Sequence, residues 1–300
     1  MEITILAAPK KFIGKTKTLQ DNAIDSWIKL VGKEHVCLFG DDETKENSIR
    51  KGVLYERPVT NENGLPLIDS IFKIAREKFI SGYFLYLNSD IILLNDLVKT
   101  AELSNNRFGK GFFLIGRRTN LDIEDIIDFS KPTAYNELRK RAELSGKLVG
   151  NTAIDYFLFP RSLFKTIPPL RIGRAGYDNI LIYWAKKYEK VPIIDATNAV
   201  LAIHQNHNYN HIPGGEKEVF SGQEAQDNLK TVGIREKIFL ITESDYNFND
   251  GRIIKNHNLA YYLSKRYLLE ILPAIHPVFH PLILIRKKIV SIKNKLIHVR

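Results

Sequence analysis

The chain has 300 residues, 44% hydrophobic and 26% charged, which gives length and apolar content for a sizeable core and excludes wholesale disorder. Its net charge of +10 is lopsided: residues 271–300 carry six Lys or Arg and no acid, so the remainder is nearly balanced and lacks the basic body that nucleic-acid binding requires. The single cysteine, Cys37, excludes an internal disulfide and lies in the apolar run Val36–Phe39, where it reads as a packed small side chain.

The first segment, Ile3–Ala8, reads as a strand; Glu2 and the shortness of the run argue against a signal peptide. No window reaches the roughly 18 uninterrupted apolar residues of a membrane-spanning helix. The expectation is a cytoplasmic protein, soluble or bound only to the inner face of the membrane.

Leu19, Ala23, Trp27 and Leu30 have helical spacing over 18–31, and a strand follows at His35–Phe39 before the turn Gly40-Asp41-Asp42-Glu43. Next come a short strand at Val53–Tyr55, a helix over Leu65–Phe79 and the apolar, aromatic strand Tyr83–Leu87. That strand ends abruptly in Asn88-Ser89-Asp90. A helix from about Asn95 and the strand Phe112–Ile115 complete an alternation that predicts a mostly parallel α/β sheet with helices on both faces. Residues 119–150 are polar and read as a helical excursion or mobile loop. Strands at Ile154–Phe159, Val191–Asp195 and Ala199–Ile203 follow, with a helix over Ile180–Tyr188 opened by Gly176-Tyr177-Asp178. A body at 1–235 and a helical extension at 236–300 are expected.

Chemistry is expected where strands end, because open α/β sheets bind ligands beyond the carboxyl ends of their strands. A carboxylate there is costly to bury unless it is hydrogen-bonded, paired or bound to a cation, which singles out Asp90. Ala8, Pro9 and Lys11 after the first strand offer backbone and charge to a nucleotide. Asp41 and Asp42 follow the second strand, where they read equally as solvated turn residues. Asp155 opens a strand, and Arg117 and Arg118 are placed either to hold phosphate bidentately or as a solvated pair. His204, His207 and His211 fall in one short polar run; imidazole with carboxylate suits Mn or a similar divalent ion. Asp178, at a helix start, is either an N-cap or a general base toward a hydroxyl.

Together these positions resemble nucleotide-sugar glycosyltransferases of the GT-A fold, in particular bacterial family-2-like enzymes of surface-polysaccharide synthesis. The resemblance covers about residues 3–230. It rests on the strand order, on Asn88-Ser89-Asp90 in place of Asp-x-Asp, on Gly176-Tyr177-Asp178 where Gly-Glu-Asp is frequent, and on a late histidine. It implies a GT-A-like (Rossmann-like) sheet and transfer of a sugar from a nucleotide-diphosphate donor to a hydroxyl of a glycan or lipid-linked acceptor. Residue by residue, it implies Asp41 or Asp42 and Asn88 near the nucleotide, and Mn2+ or Mg2+ on Asp90 and His204, with His207 as the alternative ligand. Asp178 becomes the base, beside Asp155. Two rivals stand: a nucleotidyltransferase, which the glycine-free Ala7-Ala8-Pro9-Lys10-Lys11 disfavours, and a non-catalytic nucleotide-sugar or glycan-binding subunit, which Asn88 favours. Finally, Leu282, Ile285, Ile289, Ile292, Leu296 and Val299 form a helical stripe among basic residues, which reads either as peripheral membrane contact through 282–300 or as a face packed on the catalytic domain or a second subunit.

Overall fold

The structure, a computed structural model, describes residues 1–207, 214–232 and 238–257. The expected basic helix at 282–300 and His211 lie outside the described residues. Thirteen strands and eight α-helices are described, in two sheets.

The first half contains β1 (Ile3–Ala7), α1 (Gly14–Val31), β2 (Val36–Phe39), α2 (Asp42–Lys51), β3 (Leu54–Glu56), α3 (Ile68–Lys78), β4 (Tyr83–Leu87), β5 (Ile91–Leu93), α4 (Asp96–Phe108), β6 (Phe113–Arg117), β7 (Thr119–Leu121) and α5 (Ala134–Ser145). It is followed by β8 (Lys147–Leu148), β9 (Ile154–Pro160), α6 (Tyr177–Trp184), β10 (Ile193–Asp195), β11 (Ala202–Gln205), α7 (Gly215–Ser221), α8 (Gln223–Val232), β12 (Tyr246–Asn249) and β13 (Arg252–Lys255). The main sheet has the order β13-β12-β10-β6-β9-β4-β1-β2-β3. All its strands run the same way except β9 and the edge strand β13. The expected mostly parallel sheet flanked by helices is therefore present.

Both faces of that sheet are covered, which is why its strands carry apolar runs without polar alternation. In β4, Phe84 and Tyr86 pack with Ile71, Phe72 and Ala75 of α3 and with α6. Leu85 and Leu87 face the other way, toward Ala23, Ile24 and Trp27 of α1 and Leu97 and Ala101 of α4. Burying a large aliphatic or aromatic side chain stabilises by about 1.5–3 kcal/mol, so these two layers dominate the energetics.

The second sheet, β5-β11-β7-β8, takes up the chain as it leaves β4 and β6. The strand expected at Ala199–Ile203 belongs to it rather than to the main sheet, and the apolar run after Asp90 supplies its partner, β5. A third apolar cluster beneath it joins Ile92, Leu121 and Ile203 to Phe129 and to Ala134, Leu138 and Ala142 of α5. The polar stretch 119–150 thus contains two strands and a helix, of which β7 and α5 pack on this cluster while both residues of β8 are exposed. Beyond residue 235, the hairpin of β12 and β13 extends the main sheet, so the body reaches into the stretch expected to be a helical extension.

Candidate functional site

The carboxyl ends of β1, β4 and β6 and the amino end of β9 share one edge of the main sheet, because β9 alone among the central strands runs antiparallel. That reversal sets Asp155 beside Asn88: the Asn88 backbone N–H donates to the Asp155 carbonyl at 3.2 Å. The small sheet adds the remaining pieces. Antiparallel pairing of β5 with β11 sets His204 opposite Ile91, directly after Asp90.

Asp90, His204 and His207 consequently converge, with one potential ligand atom from each within 4.8 Å of the others. His207 Nε2 lies 3.0 Å from Asp90 Oδ2, and His204 Nε2 lies 3.9 Å from Oδ1. Asp90 and His204 are buried. Asp90 Oδ1 and His204 Nδ1 are buried with no hydrogen-bond partner among the described residues, a costly state that points to a ligand. Burial pushes the Asp90 carboxyl up, but Lys10, His204 and His207 outweigh it and hold it well below the usual carboxylate range. Burial, opposed by Asp90, lowers His204 to about 4, so its imidazole is neutral and able to ligate near pH 7. A carboxylate with two imidazoles fits a divalent cation.

Lys10 completes this cluster, with Nζ 3.0 Å from Asp90 Oδ2 and 3.1 Å from His207 Nε2. Its backbone N–H donates to Gln20 Oε1 at 2.6 Å and its carbonyl accepts from Gln20 Nε2 at 3.0 Å. Gln20 also accepts from Ser89 Oγ at 2.9 Å, and Gln205 Nε2 donates to the Asp90 carbonyl at 3.2 Å. A buried polar stripe on α1, with Asn22 bonded to Gln205 at 3.0 Å, therefore aligns the β1 loop, the Asp90 turn and β11. Sequence reasoning passes over Gln20 and Gln205, because each sits among other polar residues (Gln20-Asp21-Asn22 and His204-Gln205-Asn206) and no break in an apolar pattern marks it.

A second group lies alongside. Asp155 Oδ1 accepts from Asn88 Nδ2 and from Arg118 Nη1, each at 2.7 Å, and Tyr177 Oη donates to Asn88 Oδ1 at 2.9 Å. Asp155 is buried, and burial, only partly opposed by Arg118, raises its pKa. Its Oδ2 has no hydrogen-bond partner among the described residues. Asp178 follows Tyr177 in the first turn of α6. The N-cap is Gly176, whose φ of 96° is left-handed and suits glycine, so Asp178 does not cap this helix as one reading expected. Asp178 keeps some solvent access, yet the protein around it, with Asp155 contributing, pushes its carboxyl up to about 7.

The other expected residues are more dispersed in role. Ala8 and Pro9 border the Lys10 turn half-buried, and Lys11 is exposed. Asp41 caps α2, accepting from the Thr44 backbone N–H at 3.1 Å, and exposed Asp42 pairs with Arg57. Arg117 Nη1 donates to the Val149 carbonyl and to Asn151 Oδ1, each at 3.1 Å, while Arg118 is turned to Asp155.

No protein-family model matches the chain, and no curated protein matches its sequence. Solved structures do. Glucosyl-3-phosphoglycerate synthase from Mycobacterium tuberculosis, in complex with Mn2+, UDP-glucose and phosphoglyceric acid, is 16% identical with a TM-score of 0.44, over 78% of this chain and 80% of that one. A cytidylyltransferase from Leptospira borgpetersenii is 16% identical with a TM-score of 0.42, over 66% and 76%. TarS of S. aureus is 11% identical with a TM-score of 0.41, over 69% and 59%. The structural neighbours are GT-A-type glycosyltransferases and cytidylyltransferases. At these identities and TM-scores the likeness is distant.

Proposed function

We propose that this chain is a glycosyltransferase that moves a sugar from a nucleoside-diphosphate donor to a hydroxyl of a glycan or lipid-linked acceptor, in the cytoplasm and at the membrane face. One observation carries the reading: a carboxylate–imidazole cluster (Asp90, His204, His207) stands two residues from Asn88, whose bonds to Asp155 and Tyr177 lead to Asp178, an acid pushed up to about 7.

The chemistry divides between those two groups. Breaking the bond between the sugar anomeric carbon and the diphosphate oxygen sends the electron pair to the diphosphate. Cations there stabilise the developing charge. A divalent ion, Mn2+ or Mg2+, held by Asp90, His204 and His207 would supply that stabilisation. Lys10, and Arg117 at the end of β6, add positive charge. The acceptor oxygen forms the new bond to the anomeric carbon and gives its proton to the Asp178 carboxylate. Its pKa near 7 makes Asp178 a usable base at neutral pH while leaving it basic enough to matter. Asp155, Asn88 and Tyr177 order the wall between the two groups.

The test incubates the full chain with nucleoside-diphosphate sugars, and separately with nucleoside triphosphates plus sugar phosphates, with and without Mn2+. Release of nucleoside diphosphate with transfer to added glycan supports the proposal. Release of pyrophosphate assigns a nucleotidyltransferase instead. A nucleoside diphosphate that raises the melting temperature while no acceptor is glycosylated marks a binding subunit.

A further inference from the structure

We propose that Lys10 is a resident counter-ion of the Asp90 cluster, displaced by the divalent ion and handed to the donor diphosphate, so that metal and diphosphate bind cooperatively. The inference rests on reading Asp90, His204 and His207 as metal ligands.

Lys10 Nζ, His207 Nε2 and Asp90 Oδ2 form a triangle with sides of 3.0, 3.0 and 3.1 Å. The ammonium therefore sits on the carboxylate oxygen and the imidazole nitrogen that a metal would take. A divalent ion binds such atoms at about 2.0–2.2 Å, which leaves no room for an ammonium between them. Like charges also repel. The two cations exclude each other at Asp90, and metal entry must expel Lys10.

The expelled side chain stays near. Gln20 holds the Lys10 backbone through both its N–H and its carbonyl, and the same amide oxygen accepts from Ser89, so the base of the lysine stem is fixed against the Asp90 turn. Only the four-carbon stem can swing. Lys10 is 35% exposed at its side chain against 7% for Asp90, so the stem opens toward solvent. Left there beside a new divalent charge, the ammonium is unfavourable until an anion arrives. A diphosphate is that anion. It contacts the metal on one side and Lys10 on the other, and by linkage each ligand strengthens the other.

The experiment measures Mn2+ binding directly, by calorimetry and by water-proton relaxation, on the full chain. It compares wild type, Lys10→Met, Lys10→Gln and the exposed-surface control Lys15→Met, each with and without UDP, GDP, ADP or CDP; thermal melts verify folding. Removing the competing ammonium is expected to tighten Mn2+ binding to the nucleotide-free protein by about 10-fold, within the usual range of coupling between sites. The same variants lose most of the nucleotide-induced gain in Mn2+ affinity that wild type and Lys15→Met show. Equal Mn2+ affinity in wild type and both Lys10 variants overturns the role of Lys10 and leaves the metal ligands standing. Absence of Mn2+ binding in every protein overturns the ligand set and the counter-ion with it.

Discussion

The Asn88 side-chain amide donates to Asp155 Oδ1 at 2.7 Å, tying the end of β4 to the start of the antiparallel β9. A carboxylate at position 88 would instead face the Asp155 carboxylate inside a buried network. Asn88 is thus the complement of an acid that β9 already provides, with Tyr177 and Arg118 closing the network on either side.

Restoring an acid at that position, Asn88→Asp, should therefore harm the protein. Two carboxylates at hydrogen-bond distance cannot both ionise cheaply, so one is held protonated with a pKa above its unfolded value. The native state then binds more protons than the unfolded one, and stability falls as pH rises through that value. The variant should melt lower than wild type, by on the order of 1–3 kcal/mol at pH 8 for a buried polar mismatch, with a smaller gap at pH 4. Thermal melts across pH decide it: a gap independent of pH would mean the two side chains do not oppose each other.

Asp178 yields a paired test. Its folded pKa of about 7 stands above the ordinary carboxylate value of 3.8, so between those pH values the native state holds the extra proton and stability declines as pH rises. Asp178→Asn removes that penalty. The variant should be more stable than wild type at pH 8, with the advantage gone near pH 4. Transfer should fall at least about 10²-fold, with donor binding nearly unchanged, and wild-type turnover should climb with pH through about 7. Full activity in Asp178→Asn would move the base elsewhere.

His204→Ala and His207→Ala each remove one nitrogen from the Asp90 cluster. Each should raise the Mn2+ concentration giving half-maximal activity by at least the about 10-fold that even an outer partner of a metal ligand is worth. Asp90→Ala should abolish transfer while the chain stays folded. An unchanged Mn2+ response in both histidine variants would make these side chains structural.

The sequence displays what local pattern can carry. Tyr83–Leu87 is legible because a strand covered on both faces must be apolar throughout, and Asp90 is legible because its carboxylate interrupts that run. The start of α2 reads in sequence only as a turn: in Asp42–Lys51 the single large apolar side chain, Ile49, is 71% exposed, so no apolar period marks the helix. The Asp41 cap, acids in its first turn, bases in its last and Gly52 beyond define it instead. The reversal of β9 and the pairing of β5 with β11 are non-local, and periodicity says nothing of strand direction. Lys10 meets Asp90 across 80 residues of chain, which is why a lysine three places past β1 does not stand out from Lys11.

The final prediction concerns residues 282–300, which lie outside the described residues and are argued from sequence. Among the described residues no helix is long and apolar enough to cross a membrane. The stripe Leu282, Ile285, Ile289, Ile292, Leu296, Val299 follows three-four spacing, and Arg286, Lys287, Lys288, Lys293 and Lys295 occupy much of the rest. Such a helix lies in a membrane interface, each basic residue adding about 1 kcal/mol near an anionic surface. A surface-bound enzyme would meet a lipid-linked acceptor without a second binding step. The full chain should co-sediment with vesicles rich in phosphatidylglycerol, and a version ending at Pro281 should not. Added salt should release the full chain, since the attraction is screened within about 10 Å at 0.1 M. Equal pelleting of both chains, or of neither at low salt, would place that stripe against protein rather than lipid.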